Sequence, residues 1–239
     1  MNAIIIGASS GIGHEVARIL LQRGWHCGIG ARRTERLQQL AAEFPNLVET
    51  ATIDVNNDDA PRQLLQLIER MESIDLYFHA SGIGKQNREL TPDIELRTVE
   101  TNAMGFTRMI DTAFNYMSAH GGGHIAAITS IAGTKGLSPA PSYSATKAYQ
   151  NVYLQALEQL ANARHLNIRI TDIRPGFVDT ALLGDDRNYP LMLQPQNVAK
   201  EIVQSLDRHR HVRVIDWRWR IITALWRRIP RCIWRQVKI

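Results

Sequence analysis

Seven short apolar runs, near 3–6, 26–29, 49–53, 76–79, 124–128, 168–173 and 213–215, alternate with six stretches of helical periodicity. The helical stretches lie near 11–23, 34–43, 58–72, 93–118, 143–164 and 195–207. Several of the runs are apolar almost throughout, the pattern of strands covered on both faces. A strand that is repeatedly followed by a helix returns to the sheet through a right-handed crossover, which makes neighbouring strands parallel. The expectation is therefore an α/β fold: a doubly wound parallel sheet of about seven strands with helices on both faces. A length of 239 residues suits one core, and no repeat or linker divides the order of elements.

The first run leads directly into Gly7-Ala8-Ser9-Ser10-Gly11-Ile12-Gly13, and a helical pattern starts at once. Glycines let a backbone approach a pyrophosphate, and a helix N-terminus offers it free N–H groups and a favourable dipole. The spacing departs from the more general Gly-x-Gly-x-x-Gly fingerprint, and structural turns use the same residues. Its place after a strand is what favours phosphate. Ser9 and Ser10 can add hydroxyl donors, although serine is also a common helix-start residue.

In Tyr143-Ser144-Ala145-Thr146-Lys147 a helix would put the phenol and the ammonium on one face, one turn apart. A phenol with its ordinary pKa of about 10 exchanges protons poorly at neutral pH. A neighbouring ammonium favours the phenolate and can lower that value by roughly 1–3 units. For the pair alone, a surface tyrosine and lysine is the plainer reading. The rest of the chain overturns it.

In order along the sequence stand Gly7, Gly11 and Gly13; Asp54-Val55; His79-Ala80-Ser81-Gly82; Asn102; Ser130; Tyr143 and Lys147; and Pro175-Gly176. This series resembles the short-chain dehydrogenase/reductase family, in its shorter, non-extended branch, over roughly residues 1–207. The resemblance implies a Rossmann-like sheet and hydride transfer between a nicotinamide cofactor and a carbonyl or alcohol. It implies that Tyr143 exchanges the proton, that Ser130 hydrogen-bonds the substrate oxygen, and that Lys147 tunes Tyr143 and binds the nicotinamide ribose. Asn102 matches the residue that holds a water in the family's proton relay. Asp54 and Val55 match the adenine contact, with a turn or cap role competing for Asp54. Pro175 and Gly176, with Val178 and Thr180, match the loop beside the nicotinamide. At His79-Ala80-Ser81-Gly82, where the family commonly has Asn-Asn-Ala-Gly, Gly82 matches but the usual asparagine side-chain contacts are missing, and His79 reads as structural.

Cofactor choice rests on the end of the second strand, Gly30-Ala31-Arg32-Arg33. An acid there would suit the ribose hydroxyls of NAD. Ala31 stands in its place, and Arg32 and Arg33 can pair with a 2′-phosphate, which favours NADP(H) with NAD(H) as the alternative. No metal is expected: His120 and His124 flank a Gly121-Gly122-Gly123 turn without further ligands at suitable spacing. Two cysteines and no signal-like or membrane-spanning segment fit a cytoplasmic protein.

Charge is unevenly distributed. Residues 208–239 carry ten Lys or Arg and one acid, a net +9, while the remainder carries −4. A body of that sign gives no reason to expect nucleic acid. The expected organisation is one catalytic domain over 1–216, with a short, apolar substrate loop near 181–194, and a basic tail over 217–239. Four of five tryptophans lie in that tail, and Ile222, Leu225, Trp226 and Ile229 recur there at helical spacing, with Pro230 breaking the helix. Arginine beside tryptophan suits an anionic membrane surface at the cytoplasmic face, and equally suits packing on the chain's own body or on another subunit. The family resemblance implies a homodimer or homotetramer and a small carbonyl or alcohol substrate, with apolar character suggested by residues 181–194. A dinucleotide-binding sensor or a membrane-recruited scaffold with little turnover is the competing function.

Overall fold

The structure is a computed structural model, and it describes residues 1–183 and 189–237. Seven parallel strands form one sheet: β1 (Asn2–Ile6), β2 (His26–Ala31), β3 (Val48–Thr52), β4 (Leu76–His79), β5 (Gly123–Ile128), β6 (Ile168–Arg174) and β7 (Val212–Val214). Their spatial order is β3-β2-β1-β4-β5-β6-β7. The order reverses between β1 and β4, and in such sheets the crevice beyond the strand ends at that point is where ligands bind. Strand ends differ from the sequence expectation by a residue or two, the usual fraying of boundaries.

Strand alternation builds a core on each face. Ile4 and Ile6 of β1 join one cluster, while Ala3 and Ile5 join the other. The first cluster is closed by α3 (Ala60–Arg70), α5 (Phe106–Ala119) and α6 (Pro141–Ala163) through Leu64, Leu67, Phe106, Met109 and Leu154. The second is closed by α1 (Gly11–Gln22), α2 (Thr34–Glu43) and α7 (Pro195–Asp207) through Val16, Leu20, Leu37, Leu40 and Ile202. This is the expected doubly wound fold.

Two stretches differ from expectation. The helix expected over 93–118 is α4 (Pro92–Val99) and α5 joined by a π-helical turn, Glu100–Gly105. The wider turn carries Asn102, whose fully buried amide reaches back to the chain leaving β4. Such turns recur at functional sites.

The tail forms α8 (Trp217–Arg228) and a short α9 (Arg231–Trp234), separated at Pro230 as the proline requires. Trp219 and Thr223 are buried, and Ile222 and Trp226 are partly covered. Leu225, expected on the same apolar stripe, is instead 60% exposed on the opposite face with Trp217 and Ile221. Positions 217, 221 and 225 recur every four residues, so α8 has two apolar faces, and only the one led by Trp219 is covered.

Candidate functional site

At the strand ends a cleft of about 900 Å³ opens, and every expected cofactor and catalytic residue lines it except Asn102, which lies just behind. Its floor begins at the glycine turn. Gly7 has φ +95°, and a Cβ there would lie 2.6 Å from the backbone nitrogen of Ser81, so only glycine fits between β1 and the chain after β4. The turn ends at α1, whose first turn holds no acidic residue and whose Ser10 makes no capping bond. The N–H groups there remain available to an anion.

Arg33 reaches across from β2's end and donates to Ser10 Oγ at 2.8 Å and to Ser9 Oγ at 3.2 Å. A guanidinium and two hydroxyls thus meet at the edge of the glycine turn. Arg32 is exposed and also faces the cleft. Asp54 accepts from Asn56 N at 3.1 Å, which makes it a turn-former and not the cap of α3, whose N-cap is Asp59. These groups fit a nicotinamide dinucleotide: a free helix end suits its pyrophosphate, and a cation with two hydroxyls stands at the edge of the glycine turn.

Ser130 follows β5 in extended backbone, and its Oγ accepts from Ala132 N at 3.0 Å, opening a short 3-10 turn. Ile131 N donates to Pro175 O at 3.1 Å, so the turn after β5 is tied to the loop after β6. Thr129 points the other way and donates to the buried Asp172, as strand alternation requires. Tyr143 and Lys147 are one turn apart on α6, with Lys147 Nζ 5.8 Å from the centre of the phenol ring.

The electrostatics revise one expectation. Burial pushes the Tyr143 phenol above its ordinary value, and the hydrogen bond with Ser130 works in the opposite direction. Burial likewise lowers Lys147 to about 7, against the pull of Asp172. Desolvation outweighs the ammonium's expected lowering of the phenol, because both groups lie away from water. Asn102 is held through both ends of its amide. Its Oδ1 accepts from Ile83 N at 2.9 Å, and its Nδ2 donates to Ile83 O at 2.7 Å and to Thr146 Oγ1 at 3.3 Å. Gly82 lies beside it, where a Cβ would come 3.3 Å from Asn102 Oδ1 and 3.7 Å from Lys147 Nζ. His79 is buried, receives or donates a bond with the Tyr77 hydroxyl at 3.0 Å, and is pushed down to about 3 by burial. It sits within the core and not in the cleft.

Sequence reasoning missed three contributors. Gly84 packs against the Tyr143 ring, where a Cβ would lie 2.8 Å from ring carbons. Gln150, a polar residue on α6, is completely buried behind Lys147. Trp219 closes the far side, its indole packed directly on Gly176 and edge-to-face with Phe177 at 5.6 Å. Trp226 also lines the cleft, and Trp226 packs on Trp234 at 5.7 Å. The tail is pinned by Lys135 Nζ donating to Ile229 O and Trp234 Nε1 donating to Gly136 O, both at 2.8 Å. Part of the expected substrate loop, 184–188, lies outside the described residues. Among the described residues no group of His, Cys, Asp or Glu is arranged to hold a metal ion, and no helix is long and apolar enough to cross a membrane.

Comparison with known proteins gives this geometry a context. The family model described as short chain dehydrogenase matches residues 1–189. An uncharacterized oxidoreductase of Mycobacterium tuberculosis is 28% identical over 241 residues, covering 97% of this chain and 92% of the relative. Among solved structures, a closed form of serine dehydrogenase complexed with NADP+ matches with a TM-score of 0.79 at 25% identity, covering 86% of this chain and 89% of that one. A short chain dehydrogenase/reductase from Burkholderia phymatum in complex with NAD matches with a TM-score of 0.84 at 17% identity, over 94% and 92% of the two chains. That last likeness is one of fold.

Proposed function

Because the chain belongs to the short-chain dehydrogenase family, and is thereby an NAD(P)-dependent oxidoreductase, we propose that it interconverts a carbonyl and an alcohol with a preference for NADP(H). The observation that carries this reading is the meeting of Ser130, Tyr143 and Lys147 with the glycine turn in one cleft. A bound nicotinamide would supply or accept the hydride. Tyr143 is the proton donor to the carbonyl oxygen in reduction and the acceptor in oxidation. Ser130 Oγ hydrogen-bonds the same oxygen and stabilises the charge that develops on it. Lys147 keeps a cation behind the phenol and reaches the ribose, while Asn102 fixes the Ile83 backbone at the rim.

The NADP preference is supported by the Arg33–Ser9–Ser10 cluster, with Arg32 beside it. Of the residues lining the cleft, Gly7, Gly11, Ile12 and Gly13 would hold the pyrophosphate, Asp54 and Val55 the adenine, and Gly82, Pro175, Gly176, Val178 and Thr180 the nicotinamide. An apolar substrate is supported by Leu137, Phe177, Leu182, Trp219 and Trp226 around the open end of the cleft. Residues 1–216 form the catalytic domain in this reading, and the tail, 217–239 in the sequence, contributes Trp219 and Trp226 to its substrate side. A sensor or scaffold is not favoured, since binding alone has no use for the proton-transfer set. The test is a panel of apolar ketones, aldehydes and alcohols with NADP(H) and NAD(H), with Tyr143→Phe alongside: a variant as active as the parent would remove Tyr143 from the chemistry.

A second reading concerns where the enzyme works. The outer face of α8, with Trp217 64%, Ile221 53% and Leu225 60% exposed, is bordered by Arg220, Arg227, Arg228, Arg231 and Arg235 and by no acid within 217–239. That combination supports peripheral contact with an anionic bilayer at the cytoplasmic face. Replacing Trp217, Ile221 and Leu225 together by serine leaves the inner face intact, and should abolish co-sedimentation with phosphatidylglycerol vesicles. Undiminished co-sedimentation would reject this face as the contact. Exposed Met104, Tyr149, Val152 and Leu160 on the π-helical turn and α6 support self-association as a homodimer or homotetramer, measurable by light scattering.

A further inference from the structure

Lys147 is held from two sides by neutral oxygens. Its Nζ donates to Ile128 O at 3.1 Å and to Gln150 Oε1 at 2.9 Å. Gln150 is 0% exposed, and its own Nε2 donates to Asn102 O at 2.7 Å, inside the π-helical turn. An ammonium can only donate and a backbone carbonyl can only accept, so the amide has a single orientation between them. Both ends of this side chain are therefore used, away from solvent, to join α6 to the helical turn that carries Asn102. A glutamine that only filled space would not need partners at both ends, and a buried amide without them would be costly.

We propose that Gln150 is the positioning residue of the proton-transfer centre, tying the Lys147 ammonium to the π-helical turn and so fixing the cation behind Tyr143. The proposal deepens the reading of Tyr143 and Lys147 given above and rests on it for its catalytic meaning. Its geometry does not depend on which substrate is turned over.

Burial drives Lys147 toward its neutral amine. The other ionisable groups acting around it are Asp172 from β6, which favours the ammonium, His79 from β4, and Tyr143 one turn earlier on α6. Gln150 Oε1 accepts more strongly from an ammonium than from an amine, so it also favours the charged form. A methionine at 150 keeps the shape and removes that acceptor; a glutamate replaces it with a charge.

The experiment follows the lysine Cε signals of ligand-free, full-length protein by NMR as pH is varied. The chain has only five lysines, and Lys147 is assigned by its absence in Lys147→Arg. In Gln150→Met the Lys147 midpoint should fall by about one unit, a tenfold change in the ammonium-to-amine ratio. In Gln150→Glu it should rise by at least as much, and the pH dependence of alcohol oxidation should shift in both variants. Midpoints that stay put, or that move in the same direction in both, would overturn the proposal, because loss of packing alone has no reason to act with opposite signs. If Gln150→Met fails to fold, the glutamate variant decides by itself: an unmoved or lowered midpoint rejects the role. These midpoints are read without turnover, so an inactive enzyme and a misassigned Gln150 are separate results.

Discussion

The two walls of the cleft are built by different physics. The wall bearing Tyr143 and Lys147 is a lattice of directional bonds: Asn102 to Ile83, Gln150 to Asn102, Lys147 to Gln150 and Ile128. The wall formed by the tail is a stack of aromatic rings, Phe177 on Trp219, Trp219 on Trp226 and Trp226 on Trp234. Among the described residues the buried Trp219 Nε1 has no hydrogen-bond partner at all. Directional bonds specify one geometry, as proton transfer demands. Stacked rings fill volume and can repack, which suits a wall that decides what fits. On the proposed function, the same fold gives precision to the proton transfer and latitude to the substrate.

The sharpest attack on the first wall is Tyr143→Phe. Removing the exchangeable proton should cost about 10²–10⁴-fold in kcat while NADP(H) still binds, as fluorescence titration of NADPH would record. On the second wall, Trp219→Ala should cost about 3–5 kcal/mol in unfolding free energy, the usual loss for a buried large aromatic. It should also widen substrate choice in the carbonyl panel. A Trp219→Ala enzyme with unchanged selectivity would mean that the stack only supports the fold. At the cofactor end, Arg33→Ala should remove charge-assisted bonds of about 1.5–3 kcal/mol, and so raise the KM for NADP(H) roughly 10- to 100-fold while leaving NAD(H) nearly unaffected. Equal losses for the two cofactors would remove Arg33 from phosphate recognition.

A further effect concerns pH and the core behind the first wall. His79 is lowered by burial to about 3 in the folded chain, while an unfolded histidine keeps its ordinary value of 6.5. Below about pH 6.5 the unfolded state therefore binds the extra proton, and stability present above that pH falls progressively toward pH 3. Denaturant midpoints between pH 7 and 4 should follow this decline. A His79→Phe variant should flatten it, and an identical slope in both proteins would assign the acid sensitivity elsewhere, for instance to His124, which burial lowers to about 4.

Much of the fold was legible because a strand covered on both faces must be apolar along its whole length, as Ala3-Ile4-Ile5-Ile6 is. Tyr143 and Lys147 were legible because helical spacing is regular. The π-helical turn was not, since one extra residue per turn leaves no mark on a periodicity read over many residues. Gln150 was hidden by its polarity: a glutamine on a helix looks solvent-facing until its two buried partners are known. The tail posed a third kind of difficulty. Its tryptophans and arginines mark an amphipathic helix, but a ring that packs on Gly176 and a ring that meets a bilayer have the same composition. Only the fold separates Trp219, turned inward, from Trp217 two positions earlier.

The closing wall also sets an order in time. Trp219, Trp226 and Trp234 follow all seven strands and the helix bearing Tyr143 and Lys147 in the chain, so they leave the ribosome after them. The cleft of a nascent chain is therefore open on the side that Trp219 and Trp226 line until those residues have emerged.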